Sequence, residues 1–217
     1  MPANRVLVLL KSSAQCIEFM MKQRVNKKIE KIDPTRLSIR AFGPDAILNR
    51  FDCGNKSINA YIKNKNKAKS HNKRFETRVF TAHIDKGDKV LGFYALQVGT
   101  GRADGIPDKD KTYLRSYSLL PAIHLPYLGV DISIKRQGIG SFLLADVARR
   151  AVGVSRNIGF YALTLTALDE SAALFYDSLG FIRYHSSKSL EMLMPLPSLV
   201  EMVQPESTKP PTHPHAS

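Results

Sequence analysis

The sequence predicts one sheet-containing domain of the α/β or α+β class. Segments of two-residue alternation, such as LSIRAF (37–42) and RVFTAHID (78–85), are interleaved with segments of helical period along a single chain. With 217 residues there is room for one large domain, and 43% hydrophobic against 24% charged residues is enough apolar material for a core. No internal repeat divides the chain.

The elements follow in order. LSIRAF reads as a short strand, and GPDAILNRF (43–51) as a helical turn opened by Asp45. DCGNKSINAYIKNKNKAKSHNKR (52–74) reads as a helix, because Ile58, Tyr61 and Ile62 share one face at i, i+3 and i+4. RVFTAHID and KVLGFYALQVG (89–99) are strands joined through KGDK as a hairpin, and TGRADGIPDKDKTY (100–113) is a polar loop. PYLGVDISI (126–134) is the next strand. A helix follows over 141–157 with Leu144, Val147, Ala148 and Ala151 on its core face. FYALTLTAL (160–168) is a strand, and DESAALFYDSLG (169–180) a helix capped by Asp169 and ended by Gly180. FIRY (181–184) and SLEMLMPL (189–196) are the last strands. These bounds give a basic N-terminal extension over 1–36, a domain over 37–196, and a proline-rich polar tail over 197–217 that is expected to be disordered.

Charge narrows the partners. Thirty-two Lys and Arg against nineteen Asp and Glu leave +13, which favours a polyanion: nucleic acid first, an acidic protein second. The 52–74 segment concentrates this, with Lys63, Lys65, Lys67, Lys69, Lys73 and Arg74 and no acidic residue among them. Lys63, Lys67, Lys73 and Arg74 are the candidate phosphate contacts; solvated surface is the plain alternative for each. No apolar run approaches the ~20 residues that span a bilayer, so no membrane role is expected. The two cysteines, Cys16 and Cys53, form no C-x-x-C pair, which points to a reducing compartment and a cytoplasmic protein. The tail histidines His213 and His215 are read as incidental, and no metal is expected.

The most informative stretch is KRQGIGSFLL (135–144), glycines set between a strand and a helix. Such a turn can aim successive backbone N–H groups at an anion with no Cβ in the way. A P-loop needs Lys and then Ser or Thr after its last Gly, but Ser141 and Phe142 follow Gly140. A dinucleotide fingerprint needs Gly or Ala where Leu143 stands. What remains resembles the GNAT N-acetyltransferase family, whose turn reads Arg or Gln, two variable residues, Gly, one residue, Gly or Ala. Gly138 and Gly140 match, and Lys135 departs from the usual first residue. DESAALFYDSLGF resembles the family's later signature at Asp169, Ala172, Tyr176, Gly180 and Phe181.

The resemblance implies a single-domain GNAT fold, a mixed and mostly antiparallel central sheet flanked by helices, and acetyl-CoA as co-substrate. It places the pyrophosphate on the turn formed by Lys135, Arg136, Gln137, Gly138, Ile139, Gly140 and Ser141, with Asp169 nearby. It puts backbone N–H groups of Leu128, Gly129 and Val130 at the thioester carbonyl, and makes Tyr176 the general acid for the departing sulfur. No carboxylate stands out as a general base; Asp169 and Glu170 are possible, although Asp169 also suits a helix cap.

Phe51-Asp52-Cys53-Gly54, Ile58-Asn59 and Gly92-Phe93-Tyr94 extend the likeness to the toxin branch of the family, over 37–196. That branch acetylates the α-amine of aminoacyl-tRNA, blocks translation, is neutralised by a DNA-binding antitoxin of ribbon-helix-helix type, and is commonly homodimeric. A cationic protein suits tRNA better than a polyamine, which it would repel. Two other readings stand beside this one: a GNAT acting on a protein N-terminus, a lysine or a small amine, and a catalytically silent fold that binds nucleic acid. Cys53, with no histidine partner in view, is read as a packing residue.

Overall fold

In the computed structural model, residues 32–102, 119–184 and 186–203 are described. The basic extension up to residue 31, most of the polar loop after β3 and the tail from 204 lie outside them.

Seven strands form one sheet: β1 (Leu37–Ala41), β2 (Arg78–Ile84), β3 (Gly92–Arg102), β4 (Leu119–Val130), β5 (Ala162–Thr166), β6 (Ile182–Arg183) and β7 (Glu191–Pro195), in the order β1-β2-β3-β4-β5-β7-β6. Every pairing is antiparallel except β4 with β5. A parallel pair needs a crossover, and the crossover here is the helix α3 (Ile139–Ser155). Among the described residues the remaining α-helices are α1 (Lys56–Lys63), α2 (Ser70–Lys73), α4 (Glu170–Asp177) and α5 (Leu196–Val203). The mixed, mostly antiparallel sheet with flanking helices agrees with the expectation from sequence.

Strand alternation splits the core in two. Phe93 joins Phe51, Tyr61, Ile62 and Ala68 under α1, while its neighbour Tyr94 joins Leu143, Val147 and Leu199 beneath α3 and α5. Tyr94 also pins α3 to the sheet. Its hydroxyl donates a short hydrogen bond to the buried Asp146 carboxylate, which also accepts from Arg149 at 3.1 Å and Arg150 at 2.8 Å. The Arg150 guanidinium then lies 3.7 Å over the Phe80 ring.

Several elements differ from the sequence reading. The stretch 43–51 forms turns, not a helical turn; Ile47 pairs with the 88–90 segment, donating to Asp88 O at 2.8 Å and accepting from Val90 N at 3.2 Å. Its backbone groups are satisfied across the fold instead of within a helix. The 52–74 helix is broken at Asn64, whose backbone is extended and whose side chain accepts from Asn66 N at 2.8 Å. Asparagine offers the chain this local bond in place of helical ones. A π-helical turn (Lys65–Lys69) and α2 follow. β4 starts at Leu119, well before the predicted strand, and stops at Val130; Ile132–Ile134 is a 3-10 turn capped by Asp131. Finally, the helix α5 runs past the expected domain end at 196, with Leu199 1% exposed in the core. Its one proline, Pro197, sits in the first turn, where its missing N–H costs nothing.

Candidate active site

The site begins where the sheet parts. β5 pairs with β4 only from Ala122↔Ala162 to Leu125↔Leu165, while β4 continues along β3 to Val130. Near its start, β4 turns odd-numbered residues to β5: Pro121 O accepts from Tyr161 N at 2.8 Å, and Ile123 O from Thr164 Oγ1 at 3.4 Å. Just past its end the sense is reversed, because Asp131 N donates to Leu91 O on the β3 side at 2.9 Å. The reversal comes between the pairs Gln97↔His124 and Ala95↔Tyr127, where β3 advances two residues and β4 three. The extra residue turns the backbone N–H groups of Leu128 and Val130 away from β3, into the space that β5 has vacated. Gly129, which lies between them, faces β3.

This space is a cleft of about 390 Å³, lined on one side by Lys135, Arg136 and the residues from Gly138 to Ser141. Arg136 at φ +63° and Gly138 at φ +84° are both left-handed, which curls the turn so that its N–H groups face one way. No side chain caps α3, so the first-turn N–H groups of Ile139, Gly140 and Ser141 stay open at a helix N-terminus. A Cβ at Gly140 would stand 3.4 Å from the Phe175 ring, so glycine keeps the floor of the cradle clear. Open donors, the partial positive charge of the helix end and two cationic residues fit a pyrophosphate.

The opposite wall comes from α4. Asp169 caps this helix, accepting from Ala172 N at 2.8 Å, and so holds Phe175 and Tyr176 towards the cleft. Tyr176 is 8% exposed between the rings of Phe175 and Phe181, at 5.2 and 5.5 Å. Burial pushes its phenol up to about 12. Its hydroxyl has no hydrogen-bond partner among the described residues, so it is a protonated donor without a fixed acceptor.

The third wall, Cys53, Asn55 and Ile58, is built by a locked turn. The Asp52 carboxylate accepts from Gly54 N at 2.7 Å and from the Asn59 amide at 2.6 Å, while Asn59 Oδ1 accepts from Cys53 N at 3.0 Å. The hydrogen bond from Gly54, then that from Asn59, holds the Asp52 carboxyl below its ordinary range. Asp131 fastens this turn to β4, since its buried carboxylate accepts from Asp52 N at 3.1 Å and Ile132 N donates to Asp52 O at 2.7 Å. Burial pushes Cys53 up, so it is a packing thiol, not a nucleophile.

No protein-family model matches the chain. A probable toxin, TacT of Sinorhizobium fredii, is 26% identical over 178 residues, covering 79% of this chain and 92% of its own length. The crystal structure of a tyrosine-to-phenylalanine variant of KacT superposes with a TM-score of 0.72 at 27% identity, covering 77% of this chain and 99% of KacT. AtaT complexed with acetyl-methionyl-tRNAfMet superposes with a TM-score of 0.70 at 26% identity, over 77% of this chain and 99% of AtaT. The chain shares the GNAT fold of these toxins.

In this GNAT fold the cleft brings together most of the residues that the sequence singled out: Leu128, Gly129, Val130, Lys135, Arg136, Gly138, Ile139, Gly140, Ser141, Asp169 and Tyr176. Gln137 is set apart. Its buried side chain turns from the cleft and accepts from Ile32 N at 3.2 Å, leaving only backbone for a ligand. Among the basic candidates, Lys63, Lys67 and Lys73 are exposed, but Arg74 is held by Glu76 at 2.7 Å, an acidic residue just past the stretch taken as one sign. Sequence reasoning missed Asn55, Phe175 and Asp131. The signal for Asp131 was a carboxylate four residues before Lys135, at the start of the glycine turn; Asp52 stood in the quoted Phe51-Asp52-Cys53-Gly54 stretch, but nothing in the sequence paired the two. Among the described residues, no group of three or more His, Cys, Asp or Glu is placed to hold a metal, and no helix is long and apolar enough to cross a membrane.

Proposed function

We propose that this chain is a toxin that transfers an acetyl group from acetyl-CoA to the α-amine of an amino acid carried on tRNA. The observation that carries the reading is one cleft holding three parts: open N–H groups at the start of α3, the turned-out N–H groups of Leu128 and Val130, and a buried, protonated Tyr176. AtaTR solved with AcCoA and AtaT solved with acetyl-methionyl-tRNAfMet supply the ligand chemistry by likeness.

When bound, acetyl-CoA supplies an activated thioester. The N–H groups of Ile139, Gly140 and Ser141 hold the pyrophosphate, and Lys135 and Arg136 add cationic charge. The N–H groups of Leu128 and Val130 orient the carbonyl and stabilise negative charge developing on its oxygen. Tyr176 keeps a proton on Oη for the sulfur as it leaves. A pKa near 12 does not prevent this, because burial that penalises tyrosinate also penalises a thiolate in the same place.

The acceptor follows from what the cleft lacks. Among the described residues that line it, the single carboxylate, Asp169, is engaged as a helix cap, so none of them is placed to take a proton from the amine. A lysine near 10.4 would need such a base; an α-amine near 7.7–8.0 is already partly neutral. The surplus of +13 suits a tRNA carrier. A DNA-binding antitoxin as inhibitor and a homodimer as the working form complete the proposal. AtaT solved with the C-terminus of its antitoxin AtaR, and KacTA solved with DNA, support the first part.

The test uses purified protein, labelled acetyl-CoA and charged tRNA, with uncharged tRNA, peptides and polyamines in parallel. Label that follows charged tRNA alone is expected. Label on peptides or polyamines alone would overturn the acceptor assignment.

A further inference from the structure

Phe75 occupies a position that disfavours it twice. Its ring is 76% exposed, and its backbone holds φ +63°, a conformation that glycine or asparagine adopts far more readily than an aromatic residue. The turn is firmly made. Arg74 N donates to Ser70 O at 2.9 Å, Glu76 N to His71 O at 3.0 Å, and the Asn72 side chain accepts from Val79 N at 3.1 Å. The ring is therefore presented outward by fixed backbone.

Its neighbours are cationic and flat. The Arg78 guanidinium lies 5.0 Å from the ring centroid and makes no ion pair among the described residues, whereas Arg74 is neutralised by Glu76. An open ring beside an unpaired guanidinium offers a π-face and a positive charge together, which is what an unpaired nucleotide takes up through its base and phosphate. A protein segment would dock better in an apolar groove, and Phe75 does not line the cleft.

The register places this pair near the reaction. Arg78 lies opposite Leu96 of β3, at the irregular stretch facing Leu125 and Pro126, which line the cleft. Two strand spacings, about 10 Å, separate Arg78 from that wall. The unpaired 3′ end of a charged tRNA, with its amino acid in the cleft, can reach such a point.

We propose that Phe75, assisted by Arg78, is a stacking platform for an unpaired nucleobase near the 3′ end of the acceptor tRNA. This rests on the acceptor assigned above. The chain has no tryptophan, so Phe75→Trp introduces its sole indole. The emission of that indole should be quenched when tRNA is titrated and unchanged by an acidic peptide of similar charge. Phe75→Gly removes both ring and backbone strain. It should keep or raise the thermal midpoint while raising KM for charged tRNA about tenfold, with KM for acetyl-CoA unchanged. Emission unmoved by saturating tRNA, in a protein that acetylates that tRNA, overturns the proposal. So does emission that responds only to the acidic peptide, which would mark a protein-docking site. Quenching by tRNA in a protein that acetylates only peptides supports the stacking platform and sinks the acceptor assignment instead.

Discussion

The two sides of the cleft are made by different means. The side proposed for acetyl-CoA is built of backbone: a left-handed Gly138, an uncapped helix start and a strand whose N–H groups are redirected by one extra residue. The wall of Cys53, Asn55 and Ile58, which we propose receives the acceptor, is built of side chains, with Asp52, Asn59 and Asp131 locking a turn and the cations of the 56–74 segment standing outside it. A backbone site is specified by where glycine must be, so it tolerates little change at those positions and much around them. A side-chain site spreads its cost over several hydrogen bonds, and its outer charges are individually dispensable. Substitutions should therefore fall off sharply on the first side and gradually on the second.

The largest effect is expected at Tyr176. Tyr176→Phe removes one hydroxyl from a buried ring and should lower kcat about 10²–10⁴-fold with acetyl-CoA affinity kept, as read by steady-state kinetics and calorimetry. A loss of binding in step with rate would make the phenol a packing group. The pH profile sharpens this. The phenol stays protonated up to about 12, so the rate should rise as the α-amine loses its proton near pH 8 and should not fall again by pH 10.

Next comes Gly138→Ala, which forces a Cβ into φ +84° and should cost about 1–2 kcal/mol of stability while weakening acetyl-CoA binding. Thermal melting with and without acetyl-CoA separates the two losses. Asn59→Ala strips a partner from Asp52 and from Cys53 N, and should cost about 1–3 kcal/mol while raising KM for charged tRNA alone. An equal rise in KM for acetyl-CoA would mean that the two sides are not separable. The smallest effect is expected at Lys67→Ala, which should weaken tRNA binding modestly and reduce its salt dependence by about one counterion.

The same contrast explains what the sequence made legible. Gly138, Gly140, Asp169 and Tyr176 sit at fixed spacings within two contiguous elements, so a linear reading finds them. The cap at Asp169 and the glycine at Gly180, φ +94°, followed directly from local rules. The bulge in β4 left no residue signature, because any residue can be the extra one and only pairing with β3 reveals it. Asp131 and Asp52 are 79 positions apart and meet only through the fold. The break at Asn64 lost to the strong apolar spacing of Ile58, Tyr61 and Ile62, which is real on α1 but does not extend beyond it. The helix α5 begins where the tail was expected, and Pro197 in its first turn is harmless there.

One measurement bears most directly on the central claim. Charged tRNA treated with acetyl-CoA and the protein is hydrolysed, and the released amino acid is examined by mass spectrometry, with Tyr176→Phe alongside. The account predicts an acetyl group on the α-amine with the unaltered protein and almost none with the variant. Unmodified amino acid from both, with acetyl recovered on peptide lysines or polyamines, would contradict it.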